Sequence, residues 1–196
     1  MTNRTSVDQR TDLRGDSDMS DTLQVKNSTL RLMKADITDI EIESFVYYAQ
    51  HDLALGSGFG TAISMRGGPT VQQELKALGT LETTEAVVTA AGDMKATYII
   101  HAVGPRFQEE DLEEKLRKTI RNALQKAEDR KIKAIAFPAM GAGFYGVPLD
   151  VSARITIKTI VSYLNGETGI RDVVICLNDM REYRPFQSQL ASSGNG

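Results

Sequence analysis

Cysteine is nearly missing from this 196-residue chain, Cys176 being the one present, and tryptophan is absent altogether. One thiol cannot close an internal disulfide, so nothing points to an oxidising, secreted setting. Histidine is scarce too: His51 and His101, scattered and joined only by one cysteine, make no ligand set, and neither a metal nor a cofactor is expected. No apolar run approaches the ~20 residues a membrane helix needs, and the N-terminus carries no apolar signal core, so a cytoplasmic protein without a membrane partner is expected. Positive charge is also lacking. The 23 Lys and Arg against 26 Asp and Glu leave a formal charge of -3. Such a balance offers no general attraction to a phosphate backbone, and extended nucleic-acid binding is not expected.

What is present suits one globular domain. Hydrophobic residues make up 41% and charged residues 25%, and the length suffices for a proper core. Residues 1–22 are rich in Thr, Ser, Asp, Arg and Asn, and 191–196 end in Ser-Ser-Gly-Asn-Gly. Segments of that composition bury too little to offset their ordering entropy, so both are expected to be disordered tails. Between them, short runs rich in Val, Ile, Tyr and Phe predict strands at 30–33, 45–48, 86–90, 98–103, 132–137 and 173–177. Leu112, Leu116, Ile120, Leu124 and Ala127 fall at helical spacing. Further helices are expected at 150–164, 59–66 and 70–78, punctuated by Pro69, Gly79 and Gly166. Alternation of this kind predicts an α/β architecture with a largely parallel sheet, whose binding sites lie beyond the carboxyl ends of the strands.

Three strand exits carry candidate chemistry. Ala35-Asp36-Ile37-Thr38 offers a carboxylate to an amine or hydroxyl, or equally a helix cap. Leu55-Gly56-Ser57-Gly58-Phe59-Gly60-Thr61-Ala62-Ile63 places three glycines before a helix, where free amides and the positive dipole end favour a phosphate. It lacks the Gly-Lys-Ser/Thr ending of a P-loop and the full Gly-x-Gly-x-x-Gly spacing. Pro138-Ala139-Met140-Gly141-Ala142-Gly143-Phe144-Tyr145-Gly146-Val147-Pro148 is a second glycine loop, again before a helix. Phe144 and Tyr145 in it are core anchors or cover a ligand. Two such loops in one small domain suit a diphosphate, which needs donors on both sides. Cys176, inside an apolar run, reads as a small core residue.

With Tyr98-Ile99-Ile100-His101-Ala102-Val103-Gly104-Pro105 between them, these segments resemble the macrodomain family over nearly the whole chain between the tails. The resemblance implies a macrodomain at 23–190, with a three-layer α/β/α fold and a mixed, largely parallel six-stranded sheet. It implies ADP-ribose, free or on a modified macromolecule, as the partner. Asp36 would take the adenine amino group with Ile37 beside it. Gly56, Ser57, Gly58 and Phe59 would wrap the diphosphate and distal ribose, and Gly141, Ala142, Gly143, Phe144 and Tyr145 would supply the opposing amides. An aromatic near the last strand often packs on the adenine; Tyr183 and Phe186 are the candidates. His101 matches a structural histidine.

The chain also departs from the family. Where many macrodomains carry Asn-Ala-Ala-Asn, it has Tyr47-Tyr48-Ala49-Gln50, so Gln50 stands for the amide that orients the distal ribose. Members that hydrolyse protein-linked ADP-ribose often hold an acidic residue where this chain has Gly60. No catalytic residue is therefore assigned, and a reader module that binds ADP-ribose or a derivative is expected. The alternative is an ADP-ribosyl, acetyl-ester or phosphate hydrolase with a non-standard arrangement, for which His51 and Asp52 are the nearest titratable groups. A nucleotide or RNA-end binder using the same loops is a third reading.

Overall fold

The structure, a computed structural model, describes residues 21–56 and 58–194. Most of the segment expected as an N-terminal tail, the last two residues and Ser57 of the first glycine loop lie outside them. The described body is a seven-stranded sheet with helices on both faces. Its strands are β1 (Thr22–Val25), β2 (Ser28–Lys34), β3 (Ser44–Ala49), β4 (Ala86–Ala90), β5 (Tyr98–Val103), β6 (Ala134–Phe137) and β7 (Asp172–Leu177). Their order across the sheet is β1-β2-β7-β6-β3-β5-β4. The five inner strands run parallel, and β1 and β4 close the edges antiparallel. The inner strands are covered on both faces, which is why β3 is buried at every position and reads as a continuous apolar run.

Residue alternation sorts the core into two layers. Phe45, Tyr47 and Ala49 of β3 face a cluster with Ile63, Val71 and Leu75. Those three come from α1 (Phe59–Gly67) and α2 (Pro69–Leu78). Val46 and Tyr48 face the other way, toward Leu116, Ile157 and Phe186, from α3 (Leu112–Asp129), α4 (Leu149–Leu164) and α5 (Met180–Ser193).

The sheet has seven strands where six were expected. The extra one, β1, has four residues, of which Thr22 and Gln24 are exposed and Val25 is buried, and carries no apolar run. The larger difference is α5. Pro185 lies inside it and three serines follow, both of which argue against a helix by composition. Two features outweigh them. The Asp179 carboxylate caps the start, accepting from the amides of Arg181 and Glu182 at 2.8 and 3.0 Å. Tyr183, Phe186 and Leu190 form a buried stripe against the sheet. Among the described residues β1 starts at Thr22 and α5 continues to Ser193, on either side of the expected 23–190 span.

Candidate functional site

The parallel strands all end on one rim, but the connections leaving β3 and β6 part there. The chain leaves β3 toward β5 and β4, and leaves β6 toward β7. Neighbouring strands whose connections diverge open a crevice, the usual ligand position in an open α/β sheet. The ladder shows it directly. β3 and β6 pair only at Ser44↔Ile135 and Phe45↔Ala136. Beyond those pairs lies a cleft of about 300 Å³ lined by Tyr47, Tyr48 and Gln50 from the end of β3 and by both glycine loops. A second cavity of about 250 Å³, lined by Asp36, Ile37, Thr38 and Cys176, shares Gly58, Phe59, Pro138 and Asn178 with the first. The two cavities adjoin along those four residues as two ends of one groove.

The first loop is built for backbone presentation. The Thr61 hydroxyl donates to the Gly56 carbonyl at 2.6 Å, and the Ala62 amide closes the first turn of α1 on the Gly58 carbonyl at 3.2 Å. The amides that open α1 are those a helix leaves without an internal acceptor. Phe59 holds the loop to the sheet, stacked on Phe45 at 6.1 Å and edge-on to Tyr47 at 5.1 Å. Gly60 permits the closest approach. A Cβ there would lie 2.6 Å from the Tyr47 hydroxyl and 3.1 Å from the Leu55 backbone. The Tyr47 phenol thus fills the space beside position 60. Burial and then the field of Asp52 push its pKa up, so it is a neutral hydroxyl.

The opposing loop is held by its own turns. The amides of Val147 and Gly146 donate to the carbonyls of Gly141 and Gly143, both at 3.0 Å. Gly141 has φ 74, and a Cβ there would meet Val147 at 2.8 Å and the Tyr48 hydroxyl at 3.3 Å. Only glycine suits that position. Below the loop, the Ser152 hydroxyl in the first turn of α4 donates to the Met140 carbonyl at 2.7 Å. The two aromatics divide. Tyr145 packs on Tyr48 with ring centroids 4.5 Å apart, and burial drives both phenols well above their ordinary range. Phe144 stands 74% exposed at the rim.

At the far end of the groove Asp36 is fixed rather than free. One carboxylate oxygen accepts the Thr38 amide at 2.9 Å and the Thr38 hydroxyl at 2.7 Å. The other accepts Arg66 at 2.8 Å. Burial opposes the charge, but the Thr38 hydrogen bonds and Arg66 together outweigh it and lower the pKa below the usual carboxylate value. Asp36 is therefore an anionic acceptor at any ordinary pH.

Of the expected ligand residues, Asp36 and Ile37 line the far cavity; Gln50, Gly141, Ala142, Gly143, Phe144 and Tyr145 line the main cleft; Gly58 and Phe59 line both. Gly56 lies against Gln50, whose amide nitrogen is 3.3 Å from the position of a Cβ there. Ser57 is outside the described residues. The aromatic platform expected from Tyr183 or Phe186 is not found: both are buried in the core under α5, and neither lines the groove. Asn178 and Glu182 face the cleft instead. The strand-exit rule applied to β7 points to that segment, but nothing in the residue types singles them out.

The remaining titratable candidates have structural surroundings. His101 is fully buried, with one ring nitrogen 2.9 Å from the Thr89 hydroxyl and the other without a partner. Burial pushes its pKa down to about 3, so the ring is neutral. His51 is an exposed tether, its Nδ1 2.8 Å from the Leu81 carbonyl. Asp52 borders a different cavity, on the α2 side. Burial pushes the Cys176 thiol up to about 12, which suits a wall and not a nucleophile. Among the described residues no three His, Cys, Asp or Glu side chains gather as a metal site, and no helix is long and apolar enough to cross a membrane.

Known proteins share this architecture. A variant of the Oceanobacillus iheyensis macrodomain solved with ADPR superposes with a TM-score of 0.86 at 27% identity, covering 89% of this chain and 98% of that one. The same macrodomain with ADP gives 0.84 at 28%, covering 88% and 95%. A Macro domain-containing protein of Caldanaerobacter subterraneus subsp. tengcongensis is 36% identical over 166 residues, 80% of this chain and 93% of its own. An uncharacterized protein of Sulfurisphaera tokodaii is 38% identical over 161 residues, 80% of this chain and 88% of its own. The Macro domain family model matches residues 47–156, a span that takes in the end of β3, both glycine loops and the first half of α4. Fold, cleft and sequence agree, and the chain belongs to the Macro domain family.

Proposed function

We propose that this macrodomain binds ADP-ribose, free or attached to a macromolecule, and acts as a reader that does not turn it over. One observation carries the reading. The groove has a fixed anionic acceptor, Asp36, at one end and two facing amide-bearing glycine loops at the other. The acceptor suits the adenine amine, and the loops suit a diphosphate approached from both sides. The ADPR and ADP bound to the Oceanobacillus macrodomain support the same ligand class.

The surroundings of the sugar end favour binding over hydrolysis. Gly60 contributes no carboxylate, and the space beside it holds a protonated phenol, Tyr47. Gln50 brings an amide, which neither takes nor gives a proton at ordinary pH. Among the described residues that line the main cleft Glu182 is the one carboxylate, and one of its oxygens accepts the Asn178 amide at 2.8 Å. A general base needs a proton acceptor within reach of the attacking water, and Gly60, Tyr47 and Gln50 supply none.

Catalytic amounts of protein are to be incubated with mono-ADP-ribosylated protein and with the acetyl-ester and phosphate derivatives of ADP-ribose. Retention of the label with intact binding is expected. Release of ADP-ribose that Gly141→Glu abolishes would replace the reader with a hydrolase.

A further inference from the structure

We infer that Arg66 is a base-specificity residue, holding the Asp36 carboxylate so that the far end of the groove accepts an amino-purine and rejects one with a carbonyl in that place. The inference rests on the ADP-ribose reading above.

The argument begins with lone pairs. A carboxylate offers about four acceptor sites, two on each oxygen. On Asp36, Oδ1 is filled by the Thr38 amide at 2.9 Å and the Thr38 hydroxyl at 2.7 Å. Oδ2 takes Arg66 Nη1 at 2.8 Å, and the same nitrogen also donates to the Thr38 hydroxyl. Three sites are used, and the one left is on Oδ2. With Arg66 in place that site has a fixed direction, and the group stays an acceptor only. An exocyclic amine can donate to it, whereas a carbonyl oxygen there meets a second acceptor and forms no hydrogen bond, and the neighbouring N1–H of such a base reaches the site only if the ring shifts in the groove.

The pair does little else. Its side chains are 44% and 50% exposed, and pairs so exposed contribute little to stability. Arg66 also lies in the last turn of α1, whose first turn carries the phosphate-facing loop. The helix is nine residues long, about 13 Å, so the groove's two ends are tied by one rigid element. Without Arg66, Oδ2 has two open sites and the carboxylate has one fewer restraint on its rotation. It then orders water, or turns, as readily as it meets the base.

The test uses the full chain and two ligands, ADP-ribose and its deaminated counterpart with hypoxanthine for adenine, titrated against wild type, Arg66→Ala and Arg66→Lys. A hydrogen bond to a charged group predicts that wild type prefers ADP-ribose by about ten- to a hundredfold. In Arg66→Ala the preference collapses to a few-fold, chiefly through weaker ADP-ribose binding, and Arg66→Lys restores part of it. Thermal melts of the three proteins should nearly coincide. An unchanged preference in Arg66→Ala overturns the inference, as does an equal loss for both ligands, which would make Arg66 a support of α1. Wild type binding both ligands equally also overturns it and leaves the ADP-ribose reading standing. Wild type binding neither ligand removes that reading, and the inference falls with it.

Discussion

At the residue scale, the contact between Gly60 and Tyr47 sets the character of the sugar end. A methyl group on Gly60 would sit 2.6 Å from the Tyr47 hydroxyl and 3.1 Å from the Leu55 backbone. Backbone cannot yield as a flexible side chain can, so Gly60→Ala should cost about 1–3 kcal/mol by overpacking. In a Tyr47→Phe background, where the hydroxyl is gone, part of that cost should disappear. Urea unfolding of the two single variants and the double variant measures the coupling. Purely additive effects would mean that the two residues do not meet. His101 makes a separate prediction. It is neutral in the fold, with a pKa pushed down to about 3 against 6.5 ordinarily. The unfolded chain therefore binds a proton that the native state refuses. Stability is whole above about pH 6.5 and falls as the pH drops toward 3, by up to about 1.4 kcal/mol per pH unit from this group. Stability curves at pH 7 and pH 5 for wild type and His101→Gln should differ in slope, and equal slopes would contradict a buried neutral ring.

At the element scale, the helices hold the loops as much as they fill the core. Ser152, fully buried in the first turn of α4, ties the Met140 carbonyl at 2.7 Å. Ser152→Ala leaves that carbonyl short of a donor, a loss of about 1 kcal/mol, and should weaken ADP-ribose binding without changing the fold. If calorimetry found unaltered affinity alongside the lost stability, α4 would not govern the loop. The elements also show what could be read in advance. Six strands and four helices were legible because each carries its own periodicity, as Leu116, Ile120 and Leu124 do on α3. β1 was not, because four residues, Thr22-Leu23-Gln24-Val25, are too short an alternation to stand out beside a polar segment. α5 was hidden by Pro185, and its evidence is tertiary: Phe186 and Leu190 count as a core stripe only once the sheet lies beneath them. The site divides in the same way. Asp36 and the glycine loops announce themselves by residue type at strand exits. Arg66 meets Asp36, and Asn178 and Glu182 reach the groove, only because β2, β7, β6 and β3 lie side by side, an order that local sequence does not encode. The expected adenine platform failed for that reason too, since the register that buries Tyr183 and Phe186 is set by packing.

At the scale of the whole molecule, the groove is neutral in its means. Among the described residues no Lys or Arg lines either of its cavities, and the chain carries a formal charge of -3. A diphosphate bound here is met by backbone amides and a helix end, not by mobile cations. ADP-ribose affinity should therefore change only slightly between low and high salt, unlike an RNA contact, which loses affinity steeply as counterions compete. Titrations across that range check it, and a steep slope would favour the RNA-end reading. The central claim, an adenine read by Asp36 and a diphosphate held between two glycine loops, is tested most directly by calorimetric titration of wild type and Asp36→Ala with ADP-ribose, with AMP as the control ligand. The account predicts micromolar or tighter binding by wild type, much weaker binding of AMP, and a clear loss in a folded Asp36→Ala. No binding by wild type, or binding that Asp36→Ala leaves untouched, would contradict it.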